Sequence, residues 1–129
     1  MTTTRTQTPV VYGIPNCDTV KKARAWLDAQ GVAYTFHDFK KQGVPLDLLP
    51  GWIRAVGLDV LINRRGPTWR KLDAAVQASV VDAASAIRVM EANSSVIKRP
   101  VVIWPPSAGQ PQGSTTVGFD VAKWQQRVA

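Results

Sequence analysis

Cysteine and histidine each occur once in the 129 residues, at Cys17 and His37, and that scarcity removes whole classes of protein. One thiol cannot close an internal disulfide, so the fold is not a disulfide scaffold, and any thiol exchange must take its second sulfur from another molecule. One thiol and one imidazole are too few soft ligands for a tetrahedral metal centre, so no metal site is expected. No apolar run approaches the roughly 18 residues that cross a bilayer. Residues 1–9 are mostly Thr with a single Arg and lack the apolar stretch of a secretory signal, so they read as a disordered tail on a cytoplasmic protein. Acidic residues are few, 9 against 16 basic, and the net charge of +7 attracts anions. The basic residues are nevertheless scattered as the pairs Lys21-Lys22, Lys40-Lys41, Arg64-Arg65 and Lys98-Arg99. No nucleic-acid motif accompanies them, so direct nucleic-acid binding is not expected.

What remains suits one packed domain over residues 10–129: 45% hydrophobic and 19% charged residues in a chain of ordinary domain length. Val10-Val11-Tyr12 is a buried-strand run that stops at Gly13. A helix follows from near Cys17, with Val20, Ala23, Trp26 and Leu27 at spacings of three and four and Gly31 as its stop. Alternation over Val32 to Phe39 predicts a second strand, with His37 a half-exposed polar residue of no assigned role. Strand, helix and strand make a βαβ unit with parallel strands and a right-handed crossover. The segment of about 45–93 reads as a helical insertion. It holds a helix capped by Asp47 with Trp52 on its apolar face, an apolar link over Leu58 to Ile62, a helix over Thr68 to Gln77, and one over Asp82 to Asn93 capped by Asp82. Val101 to Trp104 and Thr115 to Val117 are strands around the Pro/Gly-rich connector Pro105 to Ser114, and a closing helix runs from Asp120 to Gln126. The Trp residues at 26, 52, 69, 104 and 124 are spread over separate elements and read as packing residues.

Cys17 stands where a strand hands over to a helix. Unpaired N–H groups and the positive end of the helix dipole favour a thiolate there, and the thiolate is the nucleophile. Lys21, one turn on, leans toward the N-terminus and extends that field, while Asp18 opposes it. A buried, inert cysteine is the alternative. Arg99 precedes Pro100 at the entry to the third strand, and Arg64 and Arg65 sit in a loop before Gly66, where guanidinium groups can serve an anion or simply face solvent.

The stretch Tyr12-Gly13-Ile14-Pro15-Asn16-Cys17-Asp18-Thr19, then Lys21-Lys22-Ala23, Asn63-Arg64-Arg65-Gly66-Pro67-Thr68-Trp69-Arg70-Lys71-Leu72, Ile97-Lys98-Arg99-Pro100-Val101 and Val117-Gly118-Phe119 resembles the arsenate reductase-related ArsC/Spx family, in its YffB-like branch. The resemblance implies an α/β fold: a thioredoxin-like, glutaredoxin-type sheet carrying an inserted helical subdomain. It implies Cys17 as the nucleophile, Pro100 as the cis proline facing it, and Arg99 with Arg65 or Arg64 as oxyanion-holding arginines, in a pocket to which Lys21 and Asn16 also contribute. The reductases' third arginine has no counterpart, because Ser114, Thr115 and Thr116 stand in its place. The function implied is a thiol oxidoreductase acting on a disulfide or small oxyanion. Glutathione or glutaredoxin would be the reductant, glutathione as a co-substrate and not a bound cofactor. The Spx branch implies an alternative, a regulator that binds RNA polymerase without turnover. A Cys-x-x-Cys switch is excluded, since the second position is Val20.

Overall fold

The computed structural model describes residues 8–107 and 110–128. Four strands form one sheet in the order β2-β1-β3-β4. Strand β1 (Val10–Gly13) lies parallel to β2 (Thr35–Asp38) after the helix α1 (Asp18–Ala29), which is the βαβ unit expected. Strand β3 (Val101–Trp104) pairs antiparallel with β1 on one side and with β4 (Ser114–Val117) on the other. The chain is thus mixed α/β, with helices on both faces of the sheet.

The period of two along each strand divides the core. Val11, Val102 and Trp104 point to one face, where they meet Ala23 and Leu27 of α1 and Trp124 of the closing helix α8 (Val121–Val128). Tyr12 and Val101 point to the other face and pack with Leu49, Trp52, Met90 and Ile97. A strand covered on both sides has no face left for polar residues, which is why β1 and β3 read as unbroken apolar runs. Each such side chain removed from water contributes roughly 1.5–3 kcal/mol. The aromatic residues serve this packing: Trp124 sits edge-on to Trp104 at 5.1 Å and to Phe119 at 4.8 Å, and Tyr12 edge-on to Trp52 at 4.8 Å.

Between β2 and β3 the chain runs through α2 (Phe39–Gln42), α3 (Leu49–Val56), α4 (Leu58–Leu61), α5 (Pro67–Lys71), α6 (Ala74–Ala78), α7 (Ala83–Ala92) and a 3-10 turn at Ser94–Val96. Several boundaries differ from the sequence expectation. Phe39 starts a helix and does not end a strand, because the buried Asp38 accepts from the N–H groups of Lys40 at 2.8 Å and Lys41 at 3.4 Å. Leu58 to Leu61 closes a helical turn and is not an extended link. The helix expected over Thr68 to Gln77 is broken at Leu72, whose ψ of 146° directs the chain so that Leu72 packs against the core. The Trp69 carbonyl accepts from the Leu72 N–H at 3.0 Å, and Gln77 donates to the same oxygen at 2.8 Å, which ties the next helix to the break. Asp47 does not cap α3; Leu48 holds that position without a side-chain bond. Asp82 does cap α7, in a reciprocal pair with Ser85.

Of the expected tail, residues 1–7 lie outside the described residues. Pro9 is buried and its carbonyl accepts from Thr35 at 3.0 Å, so the sheet ladder begins one residue before β1. Among the described residues no helix is long and apolar enough to cross a membrane.

Candidate active site

Cys17 is the N-cap residue of α1, with extended backbone angles (φ −140°, ψ 125°) and a carbonyl that accepts from Lys21 N–H at 2.9 Å. A cap residue faces the first unpaired N–H groups of its helix. The Cys17 side chain makes no cap hydrogen bond, but the N–H groups of Val20 and Thr19 and the Arg99 guanidinium lie where they favour its thiolate. Partial burial pushes its pKa up, but the Val20 N–H, the hydrogen bond and charge of Arg99 and the Thr19 N–H together outweigh it and hold the thiol below its ordinary value. The sulfur-bearing residue is partly exposed, which leaves it accessible.

Arg99 reaches this place through long-range structure. One guanidinium nitrogen, Nη1, donates to the Ser95 carbonyl at 2.9 Å and contacts that of Ile97 at 3.5 Å, so the 3-10 turn fixes the group. The next residue, Pro100, is buried after a cis peptide bond, and its carbonyl accepts from Gly118 N–H at 2.9 Å. That bond ties the entry of β3 to the exit of β4, so that residues 116–120 form the wall opposite Cys17.

The resulting cavity has a volume of about 370 Å³ and is lined by Cys17, Thr19, Asn63, Lys98, Arg99, Thr116, Val117, Gly118, Phe119, Asp120, Lys123 and Trp124. Three cationic side chains, Lys98, Arg99 and Lys123, face one carboxylate, Asp120, so the space favours an anion while offering a point of attachment for a positive group. Thr116 is held by Trp104, whose indole Nε1 donates to its hydroxyl oxygen at 2.8 Å. Asp120 in turn accepts from Lys123 N–H at 3.2 Å at the start of α8.

Of the residues singled out in the sequence, the structure brings Cys17 and Arg99 together, while Pro100 follows the cis bond expected of it but is buried and does not line the cavity. Lys21 is exposed and is not among the groups acting on the Cys17 thiol; its ammonium stays in water, where hydration holds it. Asn16 is also exposed and does not line the cavity. Arg64 pairs with Asp59 and lies 5.4 Å over the Trp69 ring, and Arg64 and Arg65 line a neighbouring cavity of about 320 Å³ instead. His37 Nε2 lies 2.7 Å from the Gly43 carbonyl, a local tie away from the cavity.

Asn63, Lys98, Asp120 and Lys123 escaped the sequence reading. Lys98 adjoins Arg99 in the sequence and Asp120 follows Val117-Gly118-Phe119, but no local pattern marks Lys123, which a helix surface would carry in any case. Among the described residues no group of three His, Cys, Asp or Glu side chains is placed to hold a metal ion.

Comparison with known proteins shows the family of the chain. The solved structure of the YFFB protein superposes with a TM-score of 0.84 at 43% identity, covering 95% of this chain and 100% of that one. An arsenate reductase (ArsC) related protein from Brucella melitensis superposes with a TM-score of 0.67 at 41% identity, covering 96% and 97%. The global transcriptional regulator Spx 1 of Oceanobacillus iheyensis is 25% identical over 95 residues, 72% of this chain and 71% of its own length. The ArsC family model matches residues 12–127, nearly the whole span from β1 to α8, and the chain belongs to the ArsC family.

Proposed function

We propose that the protein is a thiol oxidoreductase in which the Cys17 thiolate attacks an oxidised sulfur and glutathione, or a glutaredoxin thiol, resolves the product. The observation that carries this reading is a half-exposed cysteine whose pKa is lowered by helix N–H groups and Arg99, at the mouth of a cationic cavity. In the first step Cys17 attacks the glutathione sulfur of a mixed disulfide. The Cys17–glutathione S–S bond forms, the original S–S bond breaks, and the substrate leaves as a thiolate that takes a proton from water. In the second step the thiolate of reduced glutathione attacks that adduct, releases oxidised glutathione and restores the Cys17 thiolate. In the sum the sulfur of the incoming glutathione passes from thiol to disulfide level, the substrate sulfur passes from disulfide to thiol, and the glutathione carried in on the substrate stays at disulfide level throughout. Arg99 supports the anionic sulfur at both ends of this cycle.

A small oxyanion is a second class of electrophile for the same cavity. Thr116 lines the wall where the sequence lacks a third arginine, so less positive charge is available to an arsenate than Arg99 and a second and third guanidinium together would supply. Incubation with oxidised glutathione at neutral pH tests the main reading. One glutathione on Cys17, removed by reduced glutathione, is the expected result by mass spectrometry. A cysteine that alkylates freely yet takes up no glutathione would refute it.

The likeness to Spx 1 favours a second reading, a regulator that binds RNA polymerase through protein contacts. Capture of polymerase subunits by wild type and Cys17→Ser alike, without thiol turnover, would establish that reading against the first.

A further inference from the structure

The cavity lined by Arg64 and Arg65 adjoins the Cys17 cavity, since Asn63 and Lys98 line both. The shared wall is held firmly. Ile62 and Ile97 form an antiparallel bridge and are both buried, Asn63 N–H donates to the Val96 carbonyl at 2.8 Å, and Lys98 N–H donates to the Leu61 carbonyl at 2.8 Å. Asn63 and Lys98, one residue past the bridge in opposite directions along this antiparallel pair, are therefore diagonal neighbours, and both line the two cavities where these join as two lobes of one trough.

The two lobes differ in charge. The Cys17 lobe mixes Lys98, Arg99 and Lys123 with Asp120, a set that suits glutathione, which carries carboxylates and an ammonium. In the second lobe Asp59 is taken up by Arg64, while Arg65 and Lys98 have no ion-pair partner among the described residues. That lobe is net positive, with three cations against one carboxylate that is already paired. A mixed disulfide has two organic arms diverging from the sulfurs under attack, and a trough of two lobes beside Cys17 provides one place for each.

Resting on the thiol-exchange function proposed above, we infer that the Arg65–Lys98 lobe is a specificity subsite for an acidic residue flanking the cysteine of a glutathionylated peptide. The glutathione arm occupies the Cys17 lobe and the Asp or Glu side chain meets Arg65 and Lys98. The subsite selects substrates by charge complementarity and leaves the sulfur chemistry to Cys17.

Binding and turnover are measured separately to test this. Three fluorescent S-glutathionylated peptides, identical but for Glu, Gln or Lys beside the cysteine, are titrated by anisotropy against the full chain carrying Cys17→Ser. The Glu peptide binds more tightly than the Gln peptide, and the Lys peptide most weakly. Adding Arg65→Glu removes the preference of Glu over Gln, a change of about tenfold in the affinity ratio. The same charge change at the exposed Lys41, which lines neither lobe, as Lys41→Glu, alters that ratio less than about twofold. Equal affinities for the three peptides would overturn the subsite, and an equal effect of Arg65→Glu and Lys41→Glu would replace it by attraction to net charge alone. Turnover of the same peptides by the unmodified chain with reduced glutathione is the separate arm. A charge preference in binding with no turnover would refute the redox reading and keep the subsite, whereas turnover indifferent to the flanking charge would remove the subsite and keep the redox reading.

Discussion

Replacing Arg99 with Ala removes both the hydrogen bond and the positive charge that the guanidinium supplies to the Cys17 thiolate, and leaves the Thr19 and Val20 N–H groups in place. A hydrogen bond to a charged group contributes roughly 1.5–3 kcal/mol where water is excluded. Cys17 is partly exposed, so water screens the interaction and about 1 kcal/mol remains. That energy is about fivefold in the thiolate–thiol equilibrium. Because Arg99 favours the charged form, its loss moves the Cys17 pKa upward. The assay is the rate of alkylation by iodoacetamide against pH. Below both midpoints Arg99→Ala reacts about fivefold more slowly than wild type, and well above them the two rates converge, since both sulfurs are then fully ionised. Arg99→Lys keeps a charge without the planar fork that Ser95 anchors, and falls between the two. Thermal melting separates a local effect from general unfolding. An unchanged midpoint in a folded Arg99→Ala protein would refute the claim that this residue ionises Cys17.

The lowered Cys17 pKa also ties stability to pH. The unfolded thiol binds its proton more tightly than the native one, so the contribution of Cys17 to stability is full above the ordinary thiol pKa of about 8.5 and is lost as pH falls through the native value. The melting temperature of wild type relative to Cys17→Ser therefore rises between pH 6 and 9, and a falling difference would mean that burial, not Arg99 and the helix N–H groups, dominates. A third prediction concerns the turn before β4. Gly113 has φ +78°, and a Cβ there would lie 2.6 Å from the Trp104 carbonyl oxygen, whereas Gly31, at φ +71°, has open space around it. Gly31→Ala costs about 1–2 kcal/mol from backbone conformation alone, and Gly113→Ala costs more because the β3–β4 connection must shift; urea unfolding of the two variants gives the comparison, and equal losses would contradict it.

The elements legible in the sequence were those whose periodicity is local. The three-and-four spacing of Val20, Ala23 and Leu27 marks α1, the unbroken β-branched and aromatic runs mark β1 and β3, and Asp82 marks the start of α7. Elements decided by packing were not. The break at Leu72 exists because that side chain packs against the core while its N–H still closes on the Trp69 carbonyl, which Gln77 also bonds, and α2 begins at Phe39 because Asp38 caps it. Neither trade can be weighed without the neighbours that the fold supplies.

The site divides in the same way. Placing Cys17 at a strand–helix junction follows from sequence alone, because an extended residue before an amphipathic run necessarily meets the unpaired N–H groups of that run. Which cations surround the sulfur was decided by tertiary structure. Lys21 is near in sequence and stays in solvent, while Lys98, Arg99 and Lys123 are distant and line the cavity. The physical reason is that a charge acts through distance in space. Here that distance is set by the pairing of β3 between β1 and β4 and by the bond from Gly118 to the Pro100 carbonyl, contacts that no local stretch of the chain encodes.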